Sequence, residues 1–155
     1  MKKLTTVLLT SLLLIGTTAC SGLNKTSANA PNTMETTTNA PTKTETRQSL
    51  KDARSQIRRQ QLNGDIRARE QRNNFLNDGS ANNRFDSDLQ SEVRDKLEAN
   101  IPGSELTIDV REGVVTIVGT VPAAEQLTKI EPLAEQIKGV REVNIEANVV
   151  AASLN

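Results

Sequence analysis

Apolar residues keep a regular spacing only from residue 86 to residue 150 of this 155-residue chain, so any packed core has to come from that stretch. Ser87 and Gln90 have the spacing of a capping box, and Leu89, Val93 and Leu97 recur at every fourth position. Together they predict an amphipathic helix over residues 87–99, stopped by Ile101-Pro102-Gly103. Leu106, Ile108 and Val110 then alternate with polar neighbours, and after a tight turn at Arg111-Glu112-Gly113 the alternation resumes at Val115, Ile117, Gly119 and Val121. This is the pattern of a β-hairpin, with Gly113 and Gly119 at turn and close-packing positions. A second helix is expected over residues 123–138, burying Leu127, Ile130, Ala134 and Ile137 and bent at Pro132, with Gly139 in the left-handed position after its end. Val143, Ile145, Ala147 and Val149 read as a third strand. The fold class expected is α+β: a small α-β-β-α-β domain with a three-stranded sheet and two helices on one face. A core of this size is only marginally stable without support.

The preceding segments have a different composition. Residues 47–85 carry Arg54, Arg58, Arg59, Arg67, Arg69 and Arg72 among many Gln and Asn. Leu50, Ala53 and Ile57 share one helical face, with Ser49 and Asp52 as a start signal, but the stripe fails at Gln60 and Gln61 and Gly64 interrupts it. A basic helix of about four turns is expected, then a loop over residues 73–83 marked by Asn77-Asp78-Gly79-Ser80. Residues 20–46, rich in Thr, Asn, Ala and Pro after Cys20, have little to bury and are expected to form a disordered tether, roughly 28 Å in root-mean-square span. Residues 151–155 form a tail.

Charge and missing residue types exclude several functions. Residues 47–84 hold nine Lys/Arg against four Asp/Glu, whereas residues 86–150 hold six against thirteen. Such asymmetry points to separate roles for the two regions. The chain has no His, Trp or Tyr, one Cys and two Phe. Zinc sites of the usual kinds, Cys-His and Ser-His nucleophilic pairs and haem ligation are therefore out of reach, as are stacking platforms for single-stranded nucleic acid. The spacing of Asp86 and Asp88 suits helix capping better than a cation loop, and no catalytic residue, cofactor or metal site is expected.

The N-terminus has the parts of an export signal: Lys2 and Lys3, an apolar run from Leu4 to Ile15, and small residues before Cys20. The run is too short to span a bilayer, which takes about 20 apolar residues. Ala19-Cys20 resembles the lipobox of bacterial lipoproteins, with residues 1–19 as the signal peptide. That resemblance implies lipidation of Cys20 and attachment to a membrane. Thr17-Thr18 departs from the commoner Leu-Ala or Leu-Ser. Ser21, where an aspartate would imply retention at the inner membrane, implies delivery to the outer membrane in a two-membrane envelope.

Residues 86–150 resemble the BON domain of bacterial periplasmic and lipid-associated proteins. The resemblance rests on Asp86, Leu89, Val93 and Leu97, on the hairpin run from Val110 through Gly113 to Gly119-Thr120-Val121, and on Ile137-Lys138-Gly139-Val140-Arg141-Glu142-Val143. It implies a non-enzymatic domain associated with phospholipid membranes and envelope maintenance. Many members carry two copies, and the pattern here accounts for one.

Two functional readings follow. In the first, the lipid-anchored domain contacts phospholipid; in the second, it is an adaptor that docks another envelope protein. Nucleic acid is not an expected partner of an exported chain. An acidic domain must gather its few cations to meet anionic headgroups, and Lys129, Lys138 and Arg141 are the candidates within it. Arg54, Arg58 and Arg59 of the basic segment are an alternative contact. The basic segment folding back onto its own acidic domain is a third arrangement.

Overall fold

The computed structural model describes residues 22–35 and 42–150; the signal segment, Cys20 and the tail lie outside the described residues. The elements run β1 (Asn24–Lys25), α1 (Lys43–Arg54), α2 (Gln56–Leu76), α3 (Asp86–Asn100), β2 (Glu105–Arg111), β3 (Val114–Val121), α4 (Ala124–Ala134) and β4 (Glu142–Val149). The sheet order is β1-β2-β3-β4, with the first two pairings antiparallel and β3–β4 parallel. A parallel pair needs a crossover connection, which α4 supplies.

The C-terminal elements follow the apolar period. Leu89, Val93 and Leu97 of α3 are buried against Leu106, Ile108 and Val110 of β2, Val115, Ile117 and Val121 of β3, and Ile130 and Ala134 of α4. Full burial of such a side chain contributes about 1.5–3 kcal/mol. Gly119 crosses β2 so closely that a Cβ there would lie 2.1 Å from the Glu105 carbonyl oxygen, and its φ of +122° suits only glycine.

Several expectations are corrected. The sheet has four strands rather than three, because Asn24 and Lys25, expected within a tether, pair with Ile108 and Thr107. Their alignment is fixed by Thr26. Its amide donates to the Leu106 carbonyl at 2.9 Å, its Oγ1 donates to the Ser104 carbonyl at 3.0 Å, and that same Oγ1 accepts from the Leu106 amide at 2.9 Å. The chain then crosses the outer face of the sheet, where Ala30 is buried and the Thr107 hydroxyl donates to the Pro31 carbonyl at 2.6 Å. This strap also occupies the β2 edge, which would otherwise offer unpaired backbone groups.

The basic segment forms two helices that meet at Ser55, and α2 continues through Gly64 to Leu76, into the span expected to be loop. The start signal is Thr42 with Glu45 rather than Ser49 with Asp52. α3 has Phe85 at its N-cap with no side-chain cap, so the Ser87–Gln90 box does not form. The Gln90 amide instead donates to the Ile108 carbonyl at 2.8 Å. α4 stops at Ala134, two residues past Pro132, and residues 135–140 continue in tighter turns, with the Ile137 amide on Ala134 and the Val140 amide on Ile137.

Candidate membrane-facing end

The third arrangement raised for the basic segment is the one observed. α2 lies along α3, and its arginines meet the acidic residues of that helix. Arg58 pairs with Glu98 at 2.7 Å, Arg69 approaches Asp95 at 3.6 Å and Asp88 at 3.9 Å, and Arg72 pairs with Asp88. Arg94 within α3 adds contacts to Asp95 at 2.8 Å and Glu98 at 3.0 Å. Arg58, Arg69 and Arg72 are thus engaged with α3, while Arg47, Lys51, Arg54, Arg59 and Arg67 stay exposed.

Arg84 ties the two helices to the α4–β4 connection. Its side chain is 1% exposed; Nη2 meets Glu92 at 2.6 Å, and Nη1 meets Glu70 at 2.7 Å and the Lys138 carbonyl at 2.6 Å. Burial pushes the Glu92 carboxyl up to about 7, against the opposing pull of Arg84. Burial likewise raises Asp95 to about 6, opposed by Arg94 and Arg69. Glu105 is raised for the same primary reason.

The β2–β3 turn lies at the same end of the molecule. Arg111 pairs with Val114 across the two-residue loop Glu112-Gly113, in which both residues have positive φ, as a type I′ turn requires. Glu112 is not a residue that favours this conformation. The Asp86 carboxylate holds the turn by accepting from the Glu112 amide at 2.8 Å and the Gly113 amide at 3.0 Å, while Arg141 donates to the Glu112 carbonyl. Asp86 therefore acts on the hairpin, and Asp88 on Arg72, where the sequence suggested helix capping. Gly139, at φ +103°, fits where a Cβ would stand 2.8 Å from the Arg84 side chain and 3.0 Å from the Ala81 carbonyl oxygen.

Three segments thus converge at one end: the α2–α3 corner, the β2–β3 turn and the α4–β4 connection. Its surface carries the only two aromatic residues in the chain. Phe75 is 86% exposed, Leu76 62% and Phe85 66%. Two phenylalanines are too few for a stacking platform. The available signal was their position, one at each side of the loop between α2 and α3.

The cation candidates do not form one patch. Lys138 and Arg141 are exposed at this end, with Arg141 also bound to the turn. Lys129 is exposed midway along α4. Arg54 and Arg59 are exposed where α1 meets α2, and Arg58 is engaged with Glu98. Asp78, Glu112 and Glu142 add negative charge around Lys138 and Arg141, so the converging end is apolar with mixed charge rather than strongly basic. Among the described residues no group of acidic or Cys side chains is placed to hold a metal ion, and no helix is long and apolar enough to cross a membrane.

Residues 85–151 match the family model of the BON domain. No curated protein and no solved structure matches the chain.

Proposed function

We propose that this protein is a non-catalytic, lipid-anchored component of the cell envelope, held on the extracytoplasmic side of a membrane by acyl chains on Cys20, whose BON domain rests against phospholipid. In a two-membrane envelope the membrane is the outer one. The observation that carries the reading is the exposure of Phe75, Leu76 and Phe85 together at one end of the molecule. Three large side chains grouped in water at one corner suit an interaction surface better than the isolated Ile57 and Val149, also exposed, and burying each in an apolar phase is worth up to about 1.5–3 kcal/mol. With Lys138 beside them as a headgroup contact, they suit the interfacial zone of a bilayer. Because the end is of mixed charge, apolar insertion carries most of the contact and anionic lipid adds little. Anchoring raises the local concentration of membrane, so the domain's own affinity can be weak.

The test is flotation of a soluble chain beginning at Ser21 with phosphatidylcholine vesicles and with vesicles containing phosphatidylglycerol, at low and moderate salt. The expected result is weak binding to both that changes little with salt. Failure to float with either would overturn lipid contact and favour an adaptor that docks another envelope protein. In the full chain, Cys20→Ser is expected to move the protein from the detergent phase to the aqueous phase.

A further inference from the structure

We infer that the segment following Cys20 is an orienting strap which holds the converging end of the domain toward the membrane; this rests on the lipid-anchor reading proposed above. A lipidated cysteine followed by a disordered tether would leave the domain free to tumble tens of ångströms from the bilayer. The chain is already on the folded body at Gly22, whose carbonyl accepts from the Gln90 side chain at 3.3 Å. The Asn24 side chain donates to Ser91 at 3.2 Å, and Thr26 completes the clasp on β2. Only two Cα steps separate Cys20 from Gly22, a reach of at most about 8 Å.

The direction of the strap decides which end is held. β1 is antiparallel to β2, with Asn24 opposite Ile108 and Lys25 opposite Thr107. Read backwards toward Cys20, the chain therefore runs the way β2 runs forwards, toward Arg111 and the Glu112-Gly113 turn. Gln90, which receives Gly22, lies in the first half of α3, whose start at Asp86 binds that same turn. Gly22 thus sits toward the end that exposes Phe75, Leu76 and Phe85, and Cys20 can lie no more than about 8 Å from it. The opposite end, around Asn100, stands a further ~20 Å away along α3. Two features with no contact to each other, the path of the strap and the placement of the exposed apolar residues, select the same face for the bilayer.

The experiment uses the full-length lipidated protein in vesicles, with one fluorophore on Asn82→Cys at the converging end or on Asn100→Cys at the opposite end, both exposed positions. Quenchers are carried on lipid headgroups, and the mass of the N-terminal peptide reports acylation of Cys20. Severalfold stronger quenching at residue 82 than at residue 100 is expected. Insertion of about 20 Gly/Ser residues between Ser21 and Gly22 lengthens the leash, and it should shrink that difference. Equal quenching at both positions with Cys20 acylated would overturn the orientation while leaving the anchor intact. Absence of acyl chains would overturn the anchor reading and the strap inference with it. A difference unaffected by the insertion would assign orientation to the apolar corner alone and overturn the role of the strap.

Discussion

Replacing Arg84 with methionine removes a cation whose partners come from three places: Glu92 on α3, Glu70 on α2 and the Lys138 carbonyl before β4. Methionine keeps much of the aliphatic bulk, so the change is chiefly electrostatic. Glu92 has no exposed side-chain surface and would be left buried without its counter-charge. Breaking a buried ion pair on one side costs about 3–5 kcal/mol, a large part of the ~5–15 kcal/mol that holds a domain of ordinary stability. The double variant Arg84→Met/Glu92→Leu leaves no orphaned charge at that pair and should recover most of the loss, because a buried pair replaced by apolar groups is often neutral or better. Urea unfolding followed by circular dichroism gives both numbers. Acid sharpens the test: Glu92 already resists ionisation in the native state, so the Arg84→Met deficit should narrow as pH falls from 8 toward 5. A single variant within about 1 kcal/mol of the parent would refute the argument. So would a double variant no better than the single.

Three further outcomes follow from the same geometry. Glu92 at about 7 and Asp95 at about 6 are both raised above their unfolded values, so their stabilising effect is complete below about pH 4 and is lost as pH rises to about 7. The urea midpoint of the unmodified protein should therefore be higher at pH 5 than at pH 7.5, and a lower one would contradict the assignment. Glu112→Asn places a residue that tolerates positive φ in the hairpin turn, keeping the amide that Asp86 binds, and should stabilise by about 0.5–1 kcal/mol in the same assay. Gly119→Ala must push the β2 backbone away at Glu105 and should cost about 3 kcal/mol or more, read as a fall of many degrees in Tm.

α3 and the three longer strands were legible because each places one apolar stripe on a shared core, and period alone reveals such stripes. The end of α4 was less so, since Pro132 stops the ladder while Ile137 still reaches the core through a turn. α2 was only half visible. Its inward face is largely polar, with Arg58, Leu62, Arg69 and Asn73 in place of an apolar stripe, and its partners are the carboxylates of α3. The opposite net charges of the two regions hinted at that pairing without fixing it. β1 could not be read at all, because two residues show no period and the decisive contact is one threonine hydroxyl on a strand about 80 positions away. The converging end was foreshadowed by Lys138, Arg141 and the turn glycines. Phe75, Leu76 and Phe85 escaped notice because exposure is a property of the folded surface.

The claim that the α2–α3 corner meets the bilayer is tested most directly by flotation of the soluble chain carrying Phe75→Ser, Leu76→Ser and Phe85→Ser together, beside Lys138→Gln and the unmodified protein, with circular dichroism to confirm that each is folded. These three side chains already stand in water, so the triple variant should keep its fold while losing most of its vesicle binding, and Lys138→Gln should lose little. A folded triple variant that floats as well as the unmodified protein would contradict the account.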